Sequence, residues 1–182
     1  MEKYIALLRG INISGKNKIS MAELKNEFEQ LGYENVITYL NSGNVIFSSD
    51  INDKNILTDN IHKMIENKFN IDIPIFVSTA GELEELLANQ PDWWGTEDKE
   101  IYDNIIFIIP PHTFEEVYNT VGEPKKEFEK IDEYKNNIFW SYSLKNYRKT
   151  NWWSKTASTS ISNYITIRTA NTMRKISSLC NK

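Results

Sequence analysis

At 182 residues, 40% of them hydrophobic and 12% aromatic, the chain can bury one large core or two smaller ones without covalent staples, and its one cysteine, Cys180, excludes an internal disulfide framework. The net charge of −4 hides an asymmetry: all 25 Asp and Glu lie at or before Glu133, whereas residues 134–182 carry nine bases and no acid. The first apolar run, Tyr4 to Leu8, stops at Arg9, and no stretch has the length of a signal-peptide core or a membrane span, so a cytoplasmic protein is expected, with no membrane partner.

Tyr4 to Leu8 has the length and composition of a strand. Beyond a loop rich in Gly and Lys, Ser20 and Glu23 have capping-box spacing, and Met21, Leu24, Phe28 and Leu31 follow at intervals of three and four before Gly32, which predicts an amphipathic helix. Val36–Leu40 and Val45–Phe47 flank Asn41-Ser42-Gly43-Asn44 and read as a hairpin. A second helix is expected from about Asp53 to Phe69, with Leu57, Ile61, Met64 and Ile65 inward. Ile71, Ile73, Ile75 and Val77 then alternate as a strand whose Pro74 suggests an edge.

Thr79 and Glu82 open a short linking helix, and the acidic stretch to Glu100 reads as a connection. The same order then recurs. Ile105–Ile109 is a strand stopped by Pro110-Pro111, and Thr113 with Glu116 caps a helix bearing Phe114, Val117 and Val121. Phe128–Tyr134 and Ile138–Tyr142 flank a Lys-Asn-Asn turn, a Trp-rich helix is expected next, and Tyr164–Arg168 is the closing strand before a terminal helix. The fold expected is α+β: duplicated ferredoxin-like (βαββαβ) halves with antiparallel sheets and an extra C-terminal helix. The boundaries expected are 1–78 for the first half, 79–102 for the linking helix and connection, and 103–182 for the second half with its helix.

Three polar clusters follow strands. Arg9, Asn12 and Lys16 sit in a loop with two glycines before a capped helix, a composition suited to a phosphate, although its spacing matches neither the Walker loop nor the dinucleotide fingerprint. Ser42 and Asn44 lie in the hairpin turn, and Arg168 with Asn171 begins the last helix; turn formation and capping are the plainer account of these residue types, except for Arg168, which ends a strand where no cap is required. Catalytic machinery is thin: His62 and His112 have no sequence-local acid-base partner, there is no zinc spacing, and no serine lies in a nucleophile elbow. No metal, cofactor or catalytic residue is therefore assigned. The tandem pairs Trp93-Trp94 and Trp152-Trp153 cannot both face one core, so one ring of each pair should be exposed or lie at a seam.

Three segments carry a resemblance to a known family: Ala6-Leu7-Leu8-Arg9-Gly10-Ile11-Asn12, Gly15-Lys16-Asn17-Lys18 with Met21 and Leu24, and Thr38-Tyr39-Leu40-Asn41-Ser42-Gly43-Asn44-Val45. Through these the chain resembles the bacterial domain-of-unknown-function family numbered 1697. That family's C-terminal Thr-Arg-Asn-Trp-Asn-Thr signature corresponds here to Ile167-Arg168-Thr169-Ala170-Asn171-Thr172, with Thr169 and Ala170 departing from it. The resemblance implies the duplicated ferredoxin-like architecture and no particular activity.

The favoured function is binding of a phosphorylated small molecule or nucleotide through Arg9, Asn12, Lys16, Ser42, Asn44, Arg168 and Asn171. The rivals are an RNA-binding module, with Tyr4 and Phe47 as stacking rings on the first and third strands, and a protein-interaction module without catalysis. Nucleic acid is the less favoured partner, and the oligomeric state is left open.

Overall fold

The computed structural model describes residues 1–182, and the chain divides into two compact units, Met1–Glu84 with Lys175–Lys182, and Glu85–Arg174. In the first unit the order is β1 (Glu2–Leu8), α1 (Met21–Gln30), β2 (Glu34–Tyr39), β3 (Asn44–Ser49), α2 (Lys54–Phe69) and β4 (Ile75–Thr79). The four strands form one antiparallel sheet in the order β2-β3-β1-β4, the arrangement of a split βαβ, ferredoxin-like unit. Helix α3 (Ala80–Ala88) follows.

The second unit repeats this order. β5 (Ile101–Ile108), α4 (Phe114–Val121), β6 (Glu129–Tyr134), β7 (Asn137–Ser143), α5 (Trp152–Ser158) and β8 (Ile165–Thr169) give an antiparallel sheet ordered β6-β7-β5-β8, and α6 (Ala170–Cys180) is the additional C-terminal helix. The protein is thus a duplicated ferredoxin-like α+β chain. None of its helices is long and apolar enough to cross a membrane.

Local signals account for most boundaries. Ser20 Oγ accepts from Glu23 N at the start of α1, and Thr113 and Glu116 form a reciprocal capping box on α4. Thr79 and Glu82 do the same before α3, with Thr79 N donating to Glu82 Oε2 and Glu82 N to Thr79 Oγ1. The fourth strand begins only after Pro74, later than the alternation from Ile71 suggests: proline has no N–H for the ladder, and Asn70 ends α2 in the left-handed conformation. The expected Trp-rich helix is divided into a 3-10 turn at Leu144–Lys149, α5, and a second 3-10 turn at Ser160–Asn163. Strand β2 carries an irregularity between Glu34 and Ile37, where Asn35 has φ 53°.

Each unit has its own helix-side core. In the first, Tyr4, Ala6 and Leu8 of β1 and Val45 and Phe47 of β3 pack with Leu24, Phe28, Leu57, Ile61 and Ile65. In the second, Ile106, Ile108, Ile138 and Trp140 pack with Val117, Val121, Trp152, Ile161 and Ile165. The other sheet faces are apolar too: Ile5, Leu7 and Ile46 in one unit, and Ile105, Phe107 and Phe139 in the other, are buried. In the second unit Trp94 lies on this face, its ring 5.0 Å from that of Phe139 and its indole N–H donating to Asn104 O at 2.7 Å.

Glu82 joins the cap of α3 to α2 through Lys54 and also accepts from Ser78 Oγ. Partial burial works to raise its carboxyl pKa, but the bonds from Lys54, Thr79 N and Ser78 outweigh it and hold the value below the ordinary 4.5. A carboxyl depressed by folding contributes stability that is present above its unfolded pKa and lost as pH falls through the folded one. Lys54→Met is therefore expected to move the Glu82 midpoint upward in an NMR titration. An unmoved midpoint would assign the depression to the bonds from Thr79 N and Ser78 Oγ.

Candidate functional site

The polar loop of the first unit is built by its own asparagines. Leu8 N donates to Gly43 O at 2.8 Å and Arg9 N to Pro74 O at 3.1 Å, so the end of β1 is held between the hairpin turn and the residue that precedes β4. Within the following loop Gly10, Asn12, Ser14, Gly15 and Asn17 all have positive φ, a backbone that glycine and asparagine accept most readily. Asn12 N bonds Asn17 O at 3.1 Å and Lys16 N bonds Ile13 O at 2.9 Å, giving a small doubled-back tip.

The Asn12 side chain is the brace of this loop. Its Oδ1 accepts from Ile19 N, and its Nδ2 donates to Ile19 O and to Asn41 O, each at 2.9 Å. Asn17 Nδ2 donates to Gly10 O at 3.0 Å. Asn44, buried, donates from Nδ2 to Tyr39 O at 2.8 Å and to Ser42 Oγ at 3.0 Å. Arg9, Asn12, Lys16, Ser42 and Asn44 are therefore gathered at one end of the first sheet. The amides of Asn12 and Asn44 shape the backbone there, whereas Lys16 is exposed at the tip and Arg9 is half-buried. Burial pushes the Arg9 guanidinium down from its usual pKa. Asn17 braces the loop as well, and its place in a stretch crowded with Gly and Asn is the sequence signal for that role.

In the second unit Arg168 is buried on β8 opposite Ile105 and donates from Nη1 to Thr166 Oγ1 at 2.8 Å and to Ile167 O at 2.9 Å. Thr169 Oγ1 accepts from Thr172 N at the start of α6, where Asn171 is exposed in the first turn.

The two histidines, expected to have no acid-base partner nearby in sequence, each have a carboxylate beside them, and that of His112 is only four residues away. His62 pairs with Asp72 at 2.9 Å, and His112 lies 3.3 Å from Glu116 with its ring stacked on Tyr164. Cys180 is buried, which pushes its thiol pKa up and disfavours the nucleophilic thiolate. No three His, Cys, Asp or Glu side chains come together as metal ligands. Tyr4 and Phe47 do lie side by side, 5.7 Å apart, but at 1% and 0% exposure, in the helix-side core against Phe28. They cannot stack on bases, so the platform on which the RNA-binding reading relied is absent. Of the tandem tryptophans, Trp94 and Trp152 are buried and Trp153 is 42% exposed, as their adjacency demands.

Among solved structures, that of the conserved bacterial protein SP0830 from Streptococcus pneumoniae is 31% identical, with a TM-score of 0.86 over 98% of each chain. The first two RRM domains of the yeast poly(U)-binding protein Pub1 also align, at 10% identity over 91% of this chain and 98% of that one, but with a TM-score of 0.24 that carries no weight. No curated protein matches the sequence. The model of the family described as protein of unknown function (DUF1697) matches residues 1–139, and the chain belongs to that family.

Proposed function

We propose that the protein binds a phosphorylated small molecule or nucleotide, and that it does so in the cytoplasm, where a lone cysteine stays reduced. One observation supports the ligand class: a half-buried Arg9 at the end of β1, beside a rigid, asparagine-braced loop that projects Lys16 and Lys18. A guanidinium that has lost part of its hydration gains more from a phosphate than one in open water, because charge-assisted bonds strengthen as solvent is removed. The loop's internal bonds fix it in advance, which lowers the ordering cost of binding. In this reading Asn12, Ser42 and Asn44 hold the loop, and Arg9 and Lys16 meet the anion.

Thermal unfolding in phosphate, nucleotides and matched chloride tests the proposal. At about five times its Kd a ligand of the folded state adds about 1 kcal/mol, or roughly 2–4 °C in Tm for a chain of this size. Arg9→Ala and Lys16→Ala are expected to reduce that rise. An undiminished response in both variants, or none in the parent beyond that of chloride, removes the proposal.

A further inference from the structure

We propose that residues 144–155 of the second unit form a binding surface for single-stranded nucleic acid, distinct from the loop of the first unit and independent of it. Three observations converge. First, these twelve residues carry Lys145, Arg148, Lys149 and Lys155 and no acid, in a chain of net charge −4. Lys155 turns inward to Val121 O, while Lys145, Arg148 and Lys149 are exposed.

Second, the cations are interleaved with rings. Trp153 is 42% exposed and meets Tyr147 edge to face, with centroids 4.6 Å apart. Arg148 lies 5.5 Å from the Tyr147 ring and donates from Nε to its hydroxyl at 2.9 Å; Lys149 lies 5.4 Å from the Phe128 ring. The neighbouring turn adds Lys125 and Lys126 together with Glu123 and Glu127, which balance them, so the positive charge of the patch comes from 144–155 itself.

Third, the surface is held firmly from below. Trp152 is fully buried, with its indole N–H donating to Gly122 O at 2.9 Å, and Asn151 Nδ2 donates to Val121 O and Glu123 O. The buried Glu129 carboxylate accepts from both Asn151 N and Trp152 N. An exposed tryptophan on so fixed a base loses little freedom when a flat partner stacks on it.

One exposed tryptophan ring among Lys and Arg, with the half-buried Tyr147 and Phe128 beside it, suits a strand whose bases are unstacked and whose phosphates lie alongside. A duplex keeps its bases stacked and offers these rings nothing, whereas an acidic peptide would use the charges but not the rings.

The test is fluorescence anisotropy of labelled 12-nucleotide oligo(dT) and oligo(U), against a duplex of equal length, with the full chain. Single strands of DNA, RNA or both are expected to bind in preference to duplex. With three phosphates contacted, affinity should fall about twenty-fold between 50 and 200 mM salt. Trp153→Ala is expected to weaken binding about tenfold. The double variant Arg148→Glu/Lys149→Glu should weaken it further and flatten the salt dependence, while Lys63→Glu, an exposed charge reversal in the first unit, should retain it. Equal binding of duplex, undiminished binding by Trp153→Ala, or binding of polyglutamate or anionic vesicles in place of the oligonucleotides overturns the proposal. A phosphate response that depends on Arg9 would be unaffected by that outcome.

Discussion

Glu129→Ala is expected to be the most destabilising single substitution at a polar position of the second unit, costing about 3 kcal/mol or more. Glu129 is 2% exposed on β6, and its carboxylate accepts from Lys125 N at 3.0 Å, Asn151 N at 2.6 Å, Trp152 N at 3.2 Å and Trp140 Nε1 at 3.2 Å. Each buried donor left without an acceptor costs about 1–3 kcal/mol, and Trp152 N and Trp140 Nε1 are both buried. The same carboxylate lies at the N-terminus of α5, where Asn151 makes no side-chain cap of its own, so the loss of negative charge there adds to the cost. Glu129→Gln should fall between, because it keeps one acceptor oxygen while turning an amide N–H₂ toward donors. Urea unfolding followed by tryptophan fluorescence reads the difference. If Glu129→Ala lies within about 1 kcal/mol of the parent, water replaces the carboxylate adequately and it is no anchor.

The second large effect is expected at Gly43. Its φ of +84° is a conformation that costs a side-chain-bearing residue about 1–2 kcal/mol, and a Cβ built there would stand 2.7 Å from Leu8 Cβ and 2.9 Å from Ile11 Cδ1. Leu8 is fully buried in β1 and Ile11 nearly so, so neither neighbour can withdraw without opening the core. Overpacking of this kind costs about 1–3 kcal/mol, which with the backbone cost brings the total for Gly43→Ala to about 2–5 kcal/mol. Gly10→Ala is the informative control: its φ is +71° but nothing lies within 4 Å of the added methyl, so only the backbone term should appear. Equal losses in the two variants would show that the contact with Leu8 and Ile11 is relieved at no cost.

Ser20, Thr79 and Thr113 are legible as helix starts because the bond each makes is three residues away. The shape of the Trp-rich segment is not legible, because the carboxylate that holds it belongs to Glu129, more than twenty residues upstream. That Tyr4 and Phe47 face the helices is not legible for a related reason: β1 is apolar on both faces, so the alternation of Tyr4, Ala6 and Leu8 with Ile5 and Leu7 carries no sign of which side meets the helices. Asn12 and Asn44 expose a third limit. An asparagine reaching toward a ligand and one tying down carbonyls look alike in sequence, and one of the carbonyls that Asn12 satisfies, that of Asn41, is 29 residues away.

The outermost strands of the two sheets have a further consequence, for how this chain behaves in a crowd. A sheet rim is a row of backbone donors and acceptors that any passing extended segment could extend, the first step toward fibrous association. Strand β6 reads Glu-Lys-Ile-Asp-Glu-Tyr, with Lys130, Asp132 and Glu133 exposed, so an incoming apolar strand would have to strip water from a succession of charges with no partner of its own to offer. Strand β2 deters the same event by shape: the irregularity at Asn35 interrupts the even spacing that a straight guest would need. Of the four outer strands, β2, β4, β6 and β8, one in each sheet is thus a poor template for a guest, β6 by its charge and β2 by its bend.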